Sequence, residues 1–359
     1  MKKLIVHIGA AKAGSSTIQH FLTTNQKRLA KEHALWIADH NMDVGLHIEK
    51  FPITYFEALL DRVKADSRRT ELSKTWRKYA RKMERAGITT AVISAESLSG
   101  SPAHVDFFES AMPYFQIHLI AYFRRQDEWI VSAWKQWAMK SGISLEDCVK
   151  WCINEKKPRF LEVFESWERL VSPENIYIRP LIKKFLHPEG LARDFAEAIG
   201  IRQDSFIYDV PVVNSTFNYS ILSILCSKPS IFQSQNDSDI FNYLDKFPTL
   251  TKESAKASLL SNSLQQLIVD CFEEENREIH RRFFQHLPYD EIFGVSPEPE
   301  QGPLSLVQAL TEVAAIQFKM LQVLDQEVEN LKLRNSPTAW YMTLQKLLRR
   351  WNRSVQKRI

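Results

Sequence analysis

The sequence predicts an α/β fold built on a central parallel sheet, and three patterns along the chain indicate it. The strands are predicted from short apolar runs at 4–9, 88–94 and 115–123, with a weaker run at 175–180. The helices between them are predicted at 15–31, 57–86 and 127–141. Nearly continuous apolar runs are typical of strands covered on both faces, and alternation with helices gives parallel strands joined by right-handed crossovers. From about 185 to 290 the pattern is almost wholly helical, so we expect three layers and a helical C-terminal half.

The last part of the chain is predicted to lie outside this fold. The stretch "GVSPEPEQGP" at 294–303 predicts a linker, which puts the main domain at 1–293. The segment 304–334 carries a mostly apolar stripe whose members lie three and four residues apart: Val307, Leu310, Ala314, Gln317, Leu321, Leu324, Val328 and Leu331. This heptad spacing predicts either a coiled coil that forms a homodimer or a helix packed on its own body.

The tail at 336–359 is predicted to be a basic amphipathic helix, with Ser336 as its cap and Pro337 in its first turn. Six of the chain's basic residues and no acidic ones lie between 337 and 359, and subtracting these six charges from the net +4 leaves −2. The body is therefore not predicted to bind nucleic acid, whereas the tail suits a membrane surface, a partner or the body itself. With no leader and no stretch able to span a bilayer, the sequence predicts a cytoplasmic protein, peripheral to the inner face of the membrane if the tail binds lipid.

The stretch "HIGAAKAGSST" at 7–17 has the form of a phosphate-binding loop. It follows a predicted strand and opens a predicted helix, and its two glycines allow a tight path. Ser15 and Ser16 offer hydroxyl groups and amides at the start of the helix, where anions bind readily. In an ordinary nucleotide-binding loop a lysine follows the second glycine, but here Ser15 stands there and Lys12 lies inside the loop. The pattern predicts a phosphate site, and a glycine turn that binds nothing is the alternative.

The loop resembles the 5′-phosphosulfate-binding loop of the sulfotransferases, in which a lysine, one further residue, a glycine and two hydroxyl residues follow one another. Lys12, Gly14, Ser15 and Ser16 occupy those places, with serines where the family prefers threonines. The resemblance implies that the donor is 3′-phosphoadenosine 5′-phosphosulfate (PAPS). The donor contacts that it implies are Lys12, Ala13, Gly14, Ser15, Ser16, Thr17, Arg124 and Ser132.

A second motif, "AYFRRQDEWIVSAW" at 121–134, carries the other half of the resemblance. In sulfotransferases an arginine ends a strand and a serine follows eight residues later, and the two hold the 3′-phosphate of the donor. Arg124 and Ser132 have that spacing, and a guanidinium fork can grip a phosphate at two points. The adjacent Arg125 is an alternative for the role. The stretches "NIYIRPLI" and "LARDFAEAIGI" are also similar to the middle of bacterial carbohydrate sulfotransferases.

The resemblance implies transfer of a sulfuryl group to an acceptor hydroxyl, with no metal. In this interpretation Lys12 meets the bridging oxygen, where negative charge grows as the nucleotide departs. Glu96 follows "VISA", at the carboxyl end of a predicted strand, where open α/β sheets bind ligands. In glycan- and tyrosine-modifying sulfotransferases a glutamate near this point deprotonates the acceptor. Glu96 is our candidate for the general base, and a helix-capping carboxylate is the alternative.

The resemblance favours a carbohydrate or glycolipid acceptor, and a lipid or a small alcohol stays open. The helix after Arg124 offers aromatic faces and positive charges to a sugar, although tryptophans on a helix also pack in cores: Trp129, Trp134, Lys135, Trp137 and Lys140. Arg179, at the end of a predicted strand, is a further candidate for the pocket. Two other functions stay open. One is a phosphate-loop kinase that uses ATP and magnesium, and the other is a non-catalytic scaffold that acts through its helical tail.

Overall fold

The fold is known from a computed structural model that describes residues 1–9, 13–38, 65–99, 105–201, 206–208, 217, 219–234, 237–245, 259–295 and 306–334. Its strands are β1 (Lys2–Ile8), β2 (Leu35–Ala38), β3 (Thr90–Ala95), β4 (Phe115–Phe123) and β5 (Ile176–Pro180). They pair in parallel in the order β2-β3-β1-β4-β5. Consecutive residues of β1, β3 and β4 are buried, so both faces of the sheet are covered. The predicted α/β fold with a central parallel sheet is confirmed.

Helices fill most of the remaining described chain. They are α1 (Ser15–His33), α2 (Ala65–Arg85), α3 (Val105–Glu109), α4 (Gln126–Ala133), α5 (Leu145–Asn154), α6 (Phe160–Glu168), α7 (Leu191–Ala198), α8 (Tyr219–Ser227), α9 (Asp239–Leu244), α10 (Asn262–Ile279), α11 (Tyr289–Phe293) and α12 (Leu306–Arg334). The predicted helix at 127–141 continues past α4 as a π-helical turn at Trp134–Ala138 and a 3₁₀ turn at Met139–Ser141. It ends at Gly142, whose φ of 76° closes it.

The strand order creates a topological switch point between β1 and β4. From β1 the chain crosses to β2 on one side, and from β4 it crosses to β5 on the other. In open α/β sheets, ligands bind in the crevice outside the carboxyl ends of such a strand pair. The candidate phosphate loop follows β1, Arg124 follows β4, and Glu96 follows β3, which is the other neighbour of β1.

A buried carboxylate joins the outer strands to α7. Asp194 accepts a hydrogen bond of 2.8 Å from the Tyr122 hydroxyl and one of 2.9 Å from the backbone N–H of His187. It also forms an ion pair with Arg179. Since the Asp194 side chain is fully buried, these three donors together compensate for the loss of its water. Arg179 is therefore engaged within the protein by Asp194.

The contacts divide the chain into two units. Unit 1 comprises 1–214 and 258–300, and it holds the sheet and the candidate phosphate loop. Unit 2 comprises 215–257 and 301–359, and its described helices are α8, α9 and α12. In the part of the chain that the structure describes, no helix is both long enough and apolar enough to cross a bilayer. The predicted tail helix at 336–359 and most of the predicted linker lie outside the described residues.

Candidate functional site

The phosphate loop turns into α1 at Gly14, which has a φ of 84° and precedes the first helical residue, Ser15. This left-handed conformation favours glycine because other residues bring their Cβ too close to the next carbonyl. Gly14 is also tightly packed, since a Cβ added there would lie 2.1 Å from Cδ2 of Leu191 and 3.8 Å from Cδ1 of Leu181. The end of the loop therefore rests against the start of α7 and the residue after β5. Lys12 lies outside the described residues.

We expect Gly14→Ala to lower the free energy of unfolding by about 2 kcal/mol, because it combines backbone strain with displacement of Leu191. The matched control is Gly87→Ala. Gly87 has a φ of 68° and has no atom within 4 Å of an added Cβ, so strain alone acts there and the loss should be about 1 kcal/mol. Urea unfolding of the two variants and the wild type measures both losses in the free energy of unfolding. Equal losses for the two variants would contradict the tight packing at Gly14.

Gly9, Ser15 and Glu96 converge at the carboxyl end of β1. The Gly9 N–H donates a 3.3 Å hydrogen bond to the carbonyl of Ala95, the residue before Glu96. A Cβ added at Gly9 would lie 1.9 Å from Oγ of Ser15 and 3.5 Å from Cγ of Glu96. Glycine at position 9 is therefore what lets the start of α1 and the end of β3 approach each other. The sequence analysis assigned no such role to Gly9.

The arrangement at the start of α1 fits an anion. The Ser15 hydroxyl is buried and has no hydrogen-bond partner among the residues that the structure describes, although buried hydroxyl groups are normally paired. The first turn of α1 contains no acidic residue, and Gly14 has no side chain to cap it. With no acidic side chain in its first turn and no side-chain cap, the positive end of this 19-residue helix suits a negatively charged group. Among the other residues predicted to contact the donor nucleotide, Ala13 is buried, Thr17 is partly exposed and Ser16 is exposed.

Glu96 begins a 3₁₀ turn, Glu96–Ser99, directly after β3, and its side chain is partly exposed. Two hydrogen bonds hold the end of β3 just before Glu96. The buried Ser94 hydroxyl and Nδ1 of His7 are 2.8 Å apart in a hydrogen bond, and Gln19 donates one of 3.2 Å to the Ser94 carbonyl. Burial lowers the pKa of His7 to about 3, so the ring is neutral at physiological pH. His7 is consequently structural, while Gln19 is a site neighbour that the sequence analysis missed.

The two adjacent arginines after β4 have different surroundings. Arg125 donates to the buried Asp127 at 2.6 Å and also to the Gly294 carbonyl. Arg124 donates at 3.1 Å to Glu128, one turn into α4, and its side chain remains 29% exposed. Arg125 is thus engaged in packing α4 within unit 1. Arg124 is somewhat more exposed than Arg125, at 29% against 19%, and the partly exposed Ser132 lies near the end of α4.

The residues proposed for the acceptor divide between core and surface. Trp134 is 2% exposed, and its indole N–H donates to the Ile143 carbonyl at 2.8 Å, so it belongs to the core. Lys140 is also buried, while Trp129, Lys135 and Trp137 are partly exposed. No group of three or more His, Cys, Asp or Glu side chains arranged to hold a metal ion occurs among the described residues.

Comparisons with known proteins show a distant structural similarity. No protein-family model matches the chain, and no curated protein matches it. Among solved structures, the chain is similar to the crystal structure of a sulfotransferase from Alicyclobacillus acidocaldarius, at 11% sequence identity and a TM-score of 0.40. The similarity covers 78% of this chain and 95% of that one. We therefore base the functional proposal on the residues of this chain.

Proposed function

We propose that the protein is a sulfotransferase that moves a sulfuryl group from PAPS to an acceptor hydroxyl, with a carbohydrate or glycolipid as the acceptor. The observation that carries the proposal is the buried Ser15 hydroxyl, which has no partner in the described part of the chain, at the N-terminus of α1 and beside Glu96. This pairs an anion site with a carboxylate, at the sheet edge where α/β proteins bind ligands. The match of the loop and of the Arg124 motif to the sulfotransferase pattern supports the choice of donor.

The residues would divide the chemistry as follows. Ser15, Ser16 and the first amides of α1 hold the 5′-phosphate, and Arg124 with Ser132 holds the 3′-phosphate. Lys12 stabilises the negative charge that develops on the oxygen bridging phosphorus and sulfur. Glu96 takes the proton of the acceptor hydroxyl as its oxygen bonds to sulfur, and the bond from sulfur to the bridging oxygen breaks. The products are a sulfate ester and adenosine 3′,5′-bisphosphate.

Calorimetric titration tests the donor assignment without knowledge of the acceptor. Adenosine 3′,5′-bisphosphate should bind more tightly than ATP with Mg²⁺, because the two phosphate sites recognise both ends of its ribose. Arg124→Ala should weaken its binding about 10- to 100-fold, as expected for loss of a charge-assisted hydrogen bond. The matched control is Arg28→Ala, which removes another i,i+4 ion pair, that with Glu32, and should leave binding unchanged. Preference for ATP with Mg²⁺ would instead support the phosphate-loop kinase.

A transfer assay with labelled donor tests which class of molecule is the acceptor. Incubation of the protein with PAPS labelled in its sulfate, together with glycan and glycolipid fractions, should label one of these fractions. Label found only on small alcohols would contradict the acceptor class while leaving sulfuryl transfer intact.

A further inference from the structure

Unit 2 covers the apolar side of helix α12 only in part. Met320 is 8% exposed, and it lines an apolar cavity of about 440 Å³ with side chains of α8 and α9, among them Leu225 and Leu244. Beside this cavity, Leu310, Leu321 and Val328 of α12 are 51%, 61% and 46% exposed. With Ala314 and Gln317 they form what we call the exposed stripe, which runs along the edge of the cavity because Gln317 and Leu321 also line it. The exposed stripe is the larger part of the heptad stripe seen in the sequence.

The spacing of the exposed stripe is that of a helix facing another helix. Its members, together with Leu324, alternate four and three residues apart, which gives a mean period of 3.5. A straight helix drifts away from this period by about 20° per heptad, so the spacing favours two helices that wind around each other. A helix that lies on an anionic membrane instead carries basic residues beside its apolar face. Leu306–Arg334 has four acidic and three basic residues, so its charge does not favour lipid.

The exposed apolar area is large enough for a stable pair. Phe318, beside the stripe, is 71% exposed, while Ile231 and Tyr243, which line the same cavity as Leu321, are 43% and 39% exposed. With the leucines and Val328 these side chains expose on the order of 600 Å² per copy, taking roughly 200 Å² for a large side chain. That lies at the upper end of the largest apolar patches on monomers. Pairing would bury about twice this area, which exceeds the roughly 1,000 Å² of a specific interface.

We propose that α12 pairs with α12 of a second copy of this chain through the exposed stripe. Gln317 sets the alignment, because its amide in the middle of an apolar seam is satisfied best when it meets the Gln317 of the other copy. A single polar residue at such a position is known to fix the alignment of paired helices at some cost in stability. The pairing lies within unit 2 and does not depend on the proposed transfer reaction.

Sedimentation velocity of the full chain over a range of micromolar concentrations tests the pairing. The wild type should have the mass of two chains. Leu321→Glu should raise the dissociation constant at least about 30-fold, as for an interface hot spot, and give the mass of one chain. Gln322→Glu introduces the same charge at the adjacent exposed position, outside the stripe, and should remain a dimer. A wild type that stays monomeric, or a dimer unchanged by Leu321→Glu, would overturn the proposal.

A second measurement does not depend on how well Leu321→Glu folds. Gln317→Cys should form a covalent dimer under mild oxidation, because the two thiols would face each other. Lys319→Cys places an equally exposed thiol on another face of α12 and should stay monomeric under reducing-agent-free electrophoresis. Cross-linking of both variants to the same extent would mean random collision and would refute the alignment. A wild-type monomer that carries extracted lipid would assign the cavity to an apolar ligand and overturn the pairing.

Discussion

Glu96→Gln is expected to bind adenosine 3′,5′-bisphosphate with unchanged affinity and to transfer sulfate about 10² to 10⁴ times more slowly than the wild type. The amide has the shape of the carboxylate but cannot accept the acceptor proton, and general-base catalysis contributes a factor of this size. Glu96 suits this test because it stands one residue beyond β3, at the level of Gly9, and is partly exposed.

Single-turnover transfer and calorimetric titration should be measured on the same preparations. Glu146→Gln is the matched control, since Glu146 is an exposed residue of α5 that forms a surface ion pair with Lys150. It should change neither quantity. Loss of nucleotide binding in Glu96→Gln would place Glu96 among the donor contacts, and a full transfer rate would remove it from catalysis.

Asp194→Ala is expected to lower the free energy of unfolding by about 3–5 kcal/mol. The substitution leaves the Tyr122 hydroxyl, the Arg179 guanidinium and the His187 N–H without their shared acceptor. The Tyr122 hydroxyl is fully buried, so leaving it without an acceptor costs about 1–3 kcal/mol, and loss of the ion pair with the partly exposed Arg179 adds to this. Urea unfolding measures the loss.

Asp106→Ala is the control for this experiment. Asp106 is exposed in the first turn of α3, and its loss should cost no more than about 0.5 kcal/mol. A change in Asp194→Ala as small as that of the control would mean that Asp194 does not hold β4 and β5 together. Arg179→Met in the Asp194→Ala background should recover part of the stability, because it removes the uncompensated charge.

Much of the fold is predictable from sequence because the strands are buried on both faces. β1, β3, β4 and β5 all lie within or next to apolar runs that stand out from the charged helices around them. β2 is not predictable in this way. It has only four residues and follows α1 after the single residue Ala34, so it is too short for any period to emerge. Its place at the sheet edge is set by pairing with β3.

The candidate site is predictable only where its residues lie close together in the sequence or at strand ends. Glu96 and Arg124 could be predicted to lie at the carboxyl edge of the sheet because each directly follows a strand. The approach of Gly9 to Ser15, and the hydrogen bond from Gln19 to Ser94, depend on how α1 crosses the ends of β1 and β3. Gln19 lies one helical turn beyond Ser15, and that spacing is the one signal that could have indicated it. The contacts of Arg125 with Asp127 and with Gly294, which is 169 residues away, could not be foreseen from the sequence.

The short helix α7 has a consequence for the stiffness of the anion site. Its first residue, Leu191, supports the loop at Gly14, and Asp194, less than one turn later, ties the same helix to β4 and β5. The turn after β1 is therefore held rigid through α7 by contacts with β4 and with β5, which lies at the sheet edge two strands away. A substitution at that edge would therefore loosen the loop without altering any residue of the loop itself.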